Sequence, residues 1–213
     1  MASNTIEEPN MELYGFSGKI GSGKNYVSEK IFIPLLSNKQ TLVMALADHF
    51  KVDACAKDGL DYDRVFVNKD EESRRILQLR GTEEGRNKYG DDVWIRTLET
   101  WMRVYFDRGI RRVIVTDVRF ENEAEWIKKI GGTLVRIVAP ERTHARMAQE
   151  ATSPDAYDRI KNHVSETALD MYTKFDHVIQ NDPQDDAVEQ VKLIVKGTCD
   201  FRFSSVESDS ESD

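Results

Sequence analysis

The stretch "GFSGKIGSGKNYV", Gly15–Val27, fits the spacing G-x-x-x-x-G-K from Gly18 to Lys24. Asn25 then stands where that phosphate-loop motif carries Ser or Thr. The flanks are the ones such a loop requires. "ELYGFS" (Glu12–Ser17) is a short apolar run that reads as a strand. Lys24–Leu36 places Val27, Ile31 and Leu35 at helical spacing, and Pro34 marks a frayed end. Gly18, Gly21 and Gly23 let backbone N–H groups turn toward phosphate oxygens without side-chain clashes. The following helix adds its positive N-terminal end, and Lys24 reaches the β- and γ-phosphates. The candidate ATP-binding residues are therefore Gly18, Ile20, Gly21, Ser22, Gly23, Lys24, Asn25 and Tyr26. The Asn25 amide oxygen is a neutral ligand able to meet Mg²⁺ directly or through water. A helix-capping role for Asn25 is the competing expectation.

Working outward, strand and helix patterns alternate. "TLVMALA" (Thr41–Ala47) reads as a buried strand, followed by a helix over Asp48–Lys57 and the polar segment "DGLDYDRVFVNKD". Helices are expected over Glu71–Leu79 and Val93–Asp107, the latter ended by Gly109. "RRVIVTD" (Arg111–Asp117) is the clearest strand. "ENEAEWIKKIGG" has acids near its start, lysines near its end and glycine after it, as the helix dipole and C-cap prefer. "TLVRIVAP" (Thr133–Pro140) and "DHVIQND" (Asp176–Asp182) complete the strands, and a last helix falls near Gln184–Lys196. Residues 140–162 are charged and weakly patterned and are expected to form a short mobile lid. Alternation of this kind implies an α/β fold with a parallel sheet covered on both faces. Right-handed crossovers then bring the strand ends Ser17, Ala47, Asp117, Pro140 and Asn181 to one edge, where an active site belongs.

The 213 residues suit one domain over 11–200, with a flexible N-terminus (1–10) and an acidic, disordered tail (201–213). The segment "SSVESDSESD" carries four acids and no base, and its Ser205, Ser208 and Ser210 lie in acidic surroundings. A net charge of −8 argues against a binder of nucleic-acid polymers. No apolar run is long enough to span a bilayer, and the start is too polar for a leader peptide, so a cytoplasmic setting without membrane contact is expected. Cys55 and Cys199 are isolated, which fits a reducing compartment and gives no metal spacing.

Two further clusters carry chemistry. Asp117 closes an apolar strand, a position that faces the nucleotide in many phosphate-loop proteins, and Arg119 follows. A turn cap is the alternative role for Asp117. "LQLRGTEEGR" (Leu77–Arg86) gathers Gln78, Thr82 and Arg86 around two glycines. A plain helix–turn–helix would also explain those glycines.

With "ALADHFK" (Ala45–Lys51), "RRILQLRGTEEGR" (Arg74–Arg86), "DDVWI" (Asp91–Ile95), "VIVTDVRFENEAEWIKKIGG" (Val113–Gly132) and "HVSETAL" (His163–Leu169), the chain resembles phage- and virus-type deoxynucleoside monophosphate kinases. The resemblance covers roughly Leu13 to Lys196 and implies a three-layer P-loop nucleotide kinase fold. It also implies transfer of the γ-phosphate of ATP to a deoxynucleoside monophosphate, with Mg²⁺, for DNA precursor synthesis in a viral setting. By position, Lys51, Gln78, Arg86, Trp94, Arg119 and Glu123 match residues around the acceptor nucleotide, with Thr82 beside them. The family often has Asp then Thr after the loop lysine; here Asn25 and Tyr26 stand there.

The catalytic set expected on this reading is Lys24, Arg86, Asp117 and Arg119, with Asn25 and Asp117 near the metal, the latter through water. Arg142, Arg146 and Arg159 would cover the transferring group from the lid. No general base is needed, because the acceptor is already an anion. Animal-type phosphomevalonate kinases share the loop style and a strand ending in Asp, and are the enzyme alternative. An ATP-gated binding switch is the non-enzyme alternative. The oligomeric state is open, a homodimer included.

Overall fold

A computed structural model describes residues 11–36, 40–67 and 71–195. The expected N-terminal arm and acidic tail lie outside the described residues.

Five strands form one parallel sheet: β1 (Glu12–Ser17), β2 (Thr41–Met44), β3 (Arg112–Val118), β4 (Thr133–Val138) and β5 (His177–Gln180), in the order β2-β3-β1-β4-β5. The central strand β1 is buried along its whole length. Its alternate residues face opposite layers, which is why it reads as a continuous apolar run rather than an alternating one. Leu13 packs with Val113, Val115 and Leu134 against α4 (Val93–Asp107) and α5 (Glu121–Lys129). Tyr14 and Phe16 pack with Ile114, Val135 and Ile137 against α1 and α9 (Ala187–Val195). Helix α1 runs through wide turns over Tyr26–Phe32 and ends in Ile33–Leu35. The result is three layers, helix–sheet–helix, the P-loop kinase architecture expected.

Besides a short helical segment over Asp63–Val67, further helices stand around the C-terminal edge of the sheet. They are α2 (Asp48–Asp58), α3 (Glu71–Gly81), α6 (Pro140–Glu150), α7 (Pro154–Asn162) and the single turn α8 (Val164–Thr167).

Three expectations need correction. β2 stops at Met44 rather than Ala47, because Asp117 and Asp48 accept the amides of Ala45–Ala47 and turn the chain into α2. Residues 140–162 are not weakly patterned: they fold into α6 and α7, with Thr143, Met147 and Ala156 buried beneath them. Pro140 and Pro154 each sit in the first turn, where the missing N–H costs nothing, and Ser153 caps α7 by accepting the Ala156 amide. The glycines of "LRGTEEGR" make no turn. Helix α3 continues through Thr82–Arg86 to Asn87–Tyr89.

Candidate active site

The loop between β1 and α1 is shaped by two glycines in left-handed conformations, Gly21 (φ 74°) and Gly23 (φ 82°), which other residues rarely adopt. It is also crowded. A Cβ on Gly23 would lie 2.4 Å from Nδ2 of Asn181, and one on Gly21 would lie 2.5 Å from Cβ of Arg146. Asn181, just past β5, donates to the Ser22 carbonyl at 2.9 Å. Helix α6 therefore lies directly on the loop, and Asp182 fixes its start by accepting the amides of Glu141 and Arg142.

Lys24 folds back on its own loop, donating to the carbonyls of Gly18 (2.7 Å) and Lys19 (3.0 Å). Burial, and then the nearby Arg119 guanidinium, push its pKa down to about 7. Asn25 is exposed, takes helical dihedrals and makes no side-chain capping bond, so the capping alternative is not observed. Tyr26 is exposed on α1.

Beside the loop a cavity of about 250 Å³ opens between α2, α3, α4 and the end of β3. Among the sequence-selected residues, Ile20, Lys51, Gln78, Thr82, Arg86, Trp94, Asp117, Arg119 and Glu123 line it. The structure thus brings together residues spread from position 20 to 123. It adds Phe50, Leu77, Phe120, Glu150, Ile160, Ser165 and Glu166. Arg142 and Arg146 are exposed on α6, and Arg146 pairs with Glu150 one turn on. Arg159 is exposed on α7.

The charged groups of the cavity have definite partners. Glu123 is buried at the start of α5, where it accepts the amides of Arg119 (2.7 Å) and Phe120 (3.0 Å) and pairs with the Arg86 guanidinium. Burial raises its pKa to about 7. Arg86 also lies over the Phe120 ring, 3.9 Å from its centre. Both oxygens of Asp117 accept backbone amides, of Leu46 at 2.7 Å and Ala47 at 3.0 Å. It is thus a tether for the entry to α2 rather than a cap on the turn that follows it, and each oxygen keeps a second lone pair. Lys51 pairs with Asp48 at 2.9 Å. The Trp94 indole donates to the Gly81 carbonyl at 2.8 Å, with the Phe50 ring 4.9 Å away. His163 caps α8 by accepting the Ser165 amide, and burial lowers its pKa.

Sequence reasoning placed Asn181 at the active edge without a role, and it missed Glu166. Glu166 accepts the Ile20 amide at 2.7 Å and pairs with Arg119. Its signal lies within "HVSETAL", three residues past His163.

A family model described as phosphomevalonate kinase matches residues 16–133. The chain belongs to that family. A protein of Acanthamoeba polyphaga mimivirus, provisionally named deoxynucleotide monophosphate kinase, is 26% identical over 174 residues, 70% of this chain and 87% of the relative. The crystal structure of TT1252 from Thermus thermophilus matches with a TM-score of 0.53 at 18% identity, over 88% of this chain and 97% of that one; this likeness concerns the fold alone. Shikimate kinase from Aquifex aeolicus matches with a TM-score of 0.44 at 20% identity, over 86% and 94% of the two chains. The chain is a P-loop kinase, a phosphotransferase that binds a nucleotide and a second substrate. Among the described residues, no helix is long and apolar enough to cross a membrane.

Proposed function

We propose that this kinase transfers the γ-phosphate of ATP to the phosphate of a deoxynucleoside monophosphate, giving ADP and the deoxynucleoside diphosphate. One observation carries the reading. The cavity beside the phosphate loop joins two arginines, Arg86 and Arg119, to an aromatic and apolar wall of Phe50, Leu77 and Trp94. A planar base stacks on such a wall, and Gln78 and Thr82 offer hydrogen-bonding groups to its edge. A guanidinium has five donors in a planar fork, so Arg86, paired to one carboxylate oxygen of Glu123, can still grip a phosphate. Lys51 and Trp94 complete the acceptor side. Glu123 acts from behind, holding Arg86 and the backbone of Arg119.

On the donor side, the loop from Gly18 to Lys24 holds the ATP phosphates, and Lys24 leaves its own carbonyls for them. The donor set suits Mg²⁺, which takes one or two protein oxygens together with phosphate oxygens and water. The Asn25 amide oxygen and, through water, Asp117 would hold it, and the ion supplies charge neutralisation. Among the described residues no three acidic, histidine or cysteine side chains gather into a metal cluster, so a self-sufficient protein cage is not the arrangement here. Arg142 and Arg146 on α6 screen the transferring group from water as a lid.

The family description favours a second reading, phosphomevalonate as acceptor. That substrate is a branched aliphatic acid and gives the Phe50–Trp94 wall nothing planar to stack on. Initial rates of ADP formation with each of the four dNMPs and with phosphomevalonate separate the two. The proposal expects at least one dNMP to exceed phosphomevalonate in kcat/KM by about 100-fold or more, the scale of a lost stacking and hydrogen-bonding set. The reverse order would replace it with the second reading.

A further inference from the structure

Glu166 sits on the short turn α8, buried, with one carboxylate oxygen accepting the Ile20 amide at 2.7 Å and the other paired to Arg119. These donors are unusual company for an acid in a phosphate-binding enzyme. A glycine-rich-loop amide and an arginine fork are the two groups that grip phosphate oxygens. Arg119 also contacts the Ser165 carbonyl at 3.3 Å, so its fork is turned toward α8. Lys24 lies within the electrostatic reach of the same carboxylate and meanwhile donates to its own loop.

We propose that the Glu166 carboxylate is a resident stand-in for phosphate, holding the Ile20 amide and the Arg119 guanidinium in phosphate-binding positions and yielding both when a polyphosphate enters. It is a positioning residue, and this inference rests on reading the Gly18–Lys24 loop as the phosphate site. A carboxylate offers one charge and two oxygens. A terminal phosphate offers more of both and wins the shared donors. The carboxylate is then left beside a like charge and must withdraw with α8. That turn is a single one, joined to α7 through the His163 cap, and so is suited to a small outward shift. Resident charge also keeps the ligand-free site from burying an unpaired arginine.

A purely structural Glu166 would help hold the pocket together, and removing it would weaken binding. A stand-in competes, and neutralising it strengthens binding. Calorimetric titration of inorganic tripolyphosphate and of MgATP into full-length wild type and Glu166→Gln distinguishes them. The variant keeps an oxygen for the Ile20 amide, while the charge and the acceptor that Arg119 holds are lost. The expected result is a Kd about 3–10-fold lower for both ligands in Glu166→Gln, with no gain in kcat, because Arg119 has lost its holder. An equal or higher Kd overturns the inference.

A second measurement needs no variant. The side-chain carboxyl ¹³C resonance of Glu166 in wild type should shift on saturation with tripolyphosphate, and an unmoved resonance overturns the inference as well. If wild type binds neither polyphosphate, the phosphate-site reading falls and takes this inference with it. Firm wild-type binding without a gain in Glu166→Gln sinks the inference alone.

Discussion

Two glycine-rich stretches flank the cavity, and they are glycine-rich for opposite reasons. In the loop, Gly21 and Gly23 adopt left-handed dihedrals, and their lack of side chains lets backbone amides face a ligand. In the continuation of α3, Gly81 and Gly85 lie within helix. There the missing side chains make room for rings: a Cβ on Gly81 would lie 3.1 Å from the Phe50 ring, and one on Gly85 would lie 2.2 Å from Trp94. On the proposed reading, the loop glycines serve phosphate and the helix glycines serve the wall of the acceptor pocket. A glycine count in the sequence cannot tell these apart; backbone conformation and the identity of the nearest atom can.

The largest expected effect is at the loop lysine. Lys24→Ala should lower kcat by about 30- to 900-fold, the loss of a charge contact worth about 2–4 kcal/mol in the transition state. The variant's melting temperature should stay close to wild type, because Lys24 bonds to its own loop's carbonyls. Retention of more than about a tenth of the activity would break the loop's side of the comparison.

Alanine at one glycine of each stretch sharpens the contrast. Gly23→Ala forces a strained dihedral at the phosphate site, and should cost activity more than about tenfold with a small change in melting. Gly85→Ala should push Trp94 off Gly85 and lower stability by about 1–3 kcal/mol, seen as a melting shift of about 2–12 °C, and raise KM for the acceptor more than for ATP. Equal behaviour of the two variants would erase the distinction.

A third expectation uses the titration of Lys24. Its pKa lies near 7, lowered mainly by burial and secondly by Arg119, and a bound polyphosphate restores the charged form. Between pH 7 and the ordinary lysine range, the free enzyme therefore holds fewer protons at Lys24 than the complex. Nucleotide binding must take up protons there, and affinity must fall as pH rises across that window. Calorimetry at pH 8 in buffers of different ionisation enthalpy measures the uptake. No uptake, or an uptake that survives in Lys24→Ala, contradicts this.

Smaller still is Asn25. With no capping bond to lose, Asn25→Ala should melt like wild type and need more Mg²⁺ for half-maximal rate, while Asn25→Asp stays active. An unshifted Mg²⁺ titration removes Asn25 from the metal's surroundings. Deleting residues 204–213 should leave kcat nearly unchanged, since charge in the acidic tail is screened beyond about 8–10 Å. A large drop would tie the tail to the site.

The fold was legible because its cause is local. β1 and β3 are continuous apolar runs, and the boundaries of α4 and α5 follow their periodicity and end signals closely. The sheet edge where Ser17, Asp117 and Asn181 meet follows from alternation and crossover handedness. What the sequence concealed depends on partners far along the chain. Nothing near Asp117 reveals that its oxygens are taken by Leu46 and Ala47, some seventy residues earlier. Nothing near Glu166 points to Ile20, 146 residues away. Helices α6 and α7 are faint in the sequence although both form, because Thr143, Met147 and Ala156 are the residues buried in them, and a pattern that sparse fixes no helical face even where the end signals of Pro140, Ser153 and Pro154 are present.

The central claim is that the donor loop and the aromatic-walled cavity act on one phosphoryl group. Following ATP labelled in its γ-phosphate, with a deoxynucleoside monophosphate present, by ³¹P NMR and chromatography tests it most directly. The account predicts that the label appears as the β-phosphate of the deoxynucleoside diphosphate, in a one-to-one ratio with ADP, and that Lys24→Ala abolishes both products. Label recovered only as inorganic phosphate, with all four deoxynucleoside monophosphates unchanged, would contradict it.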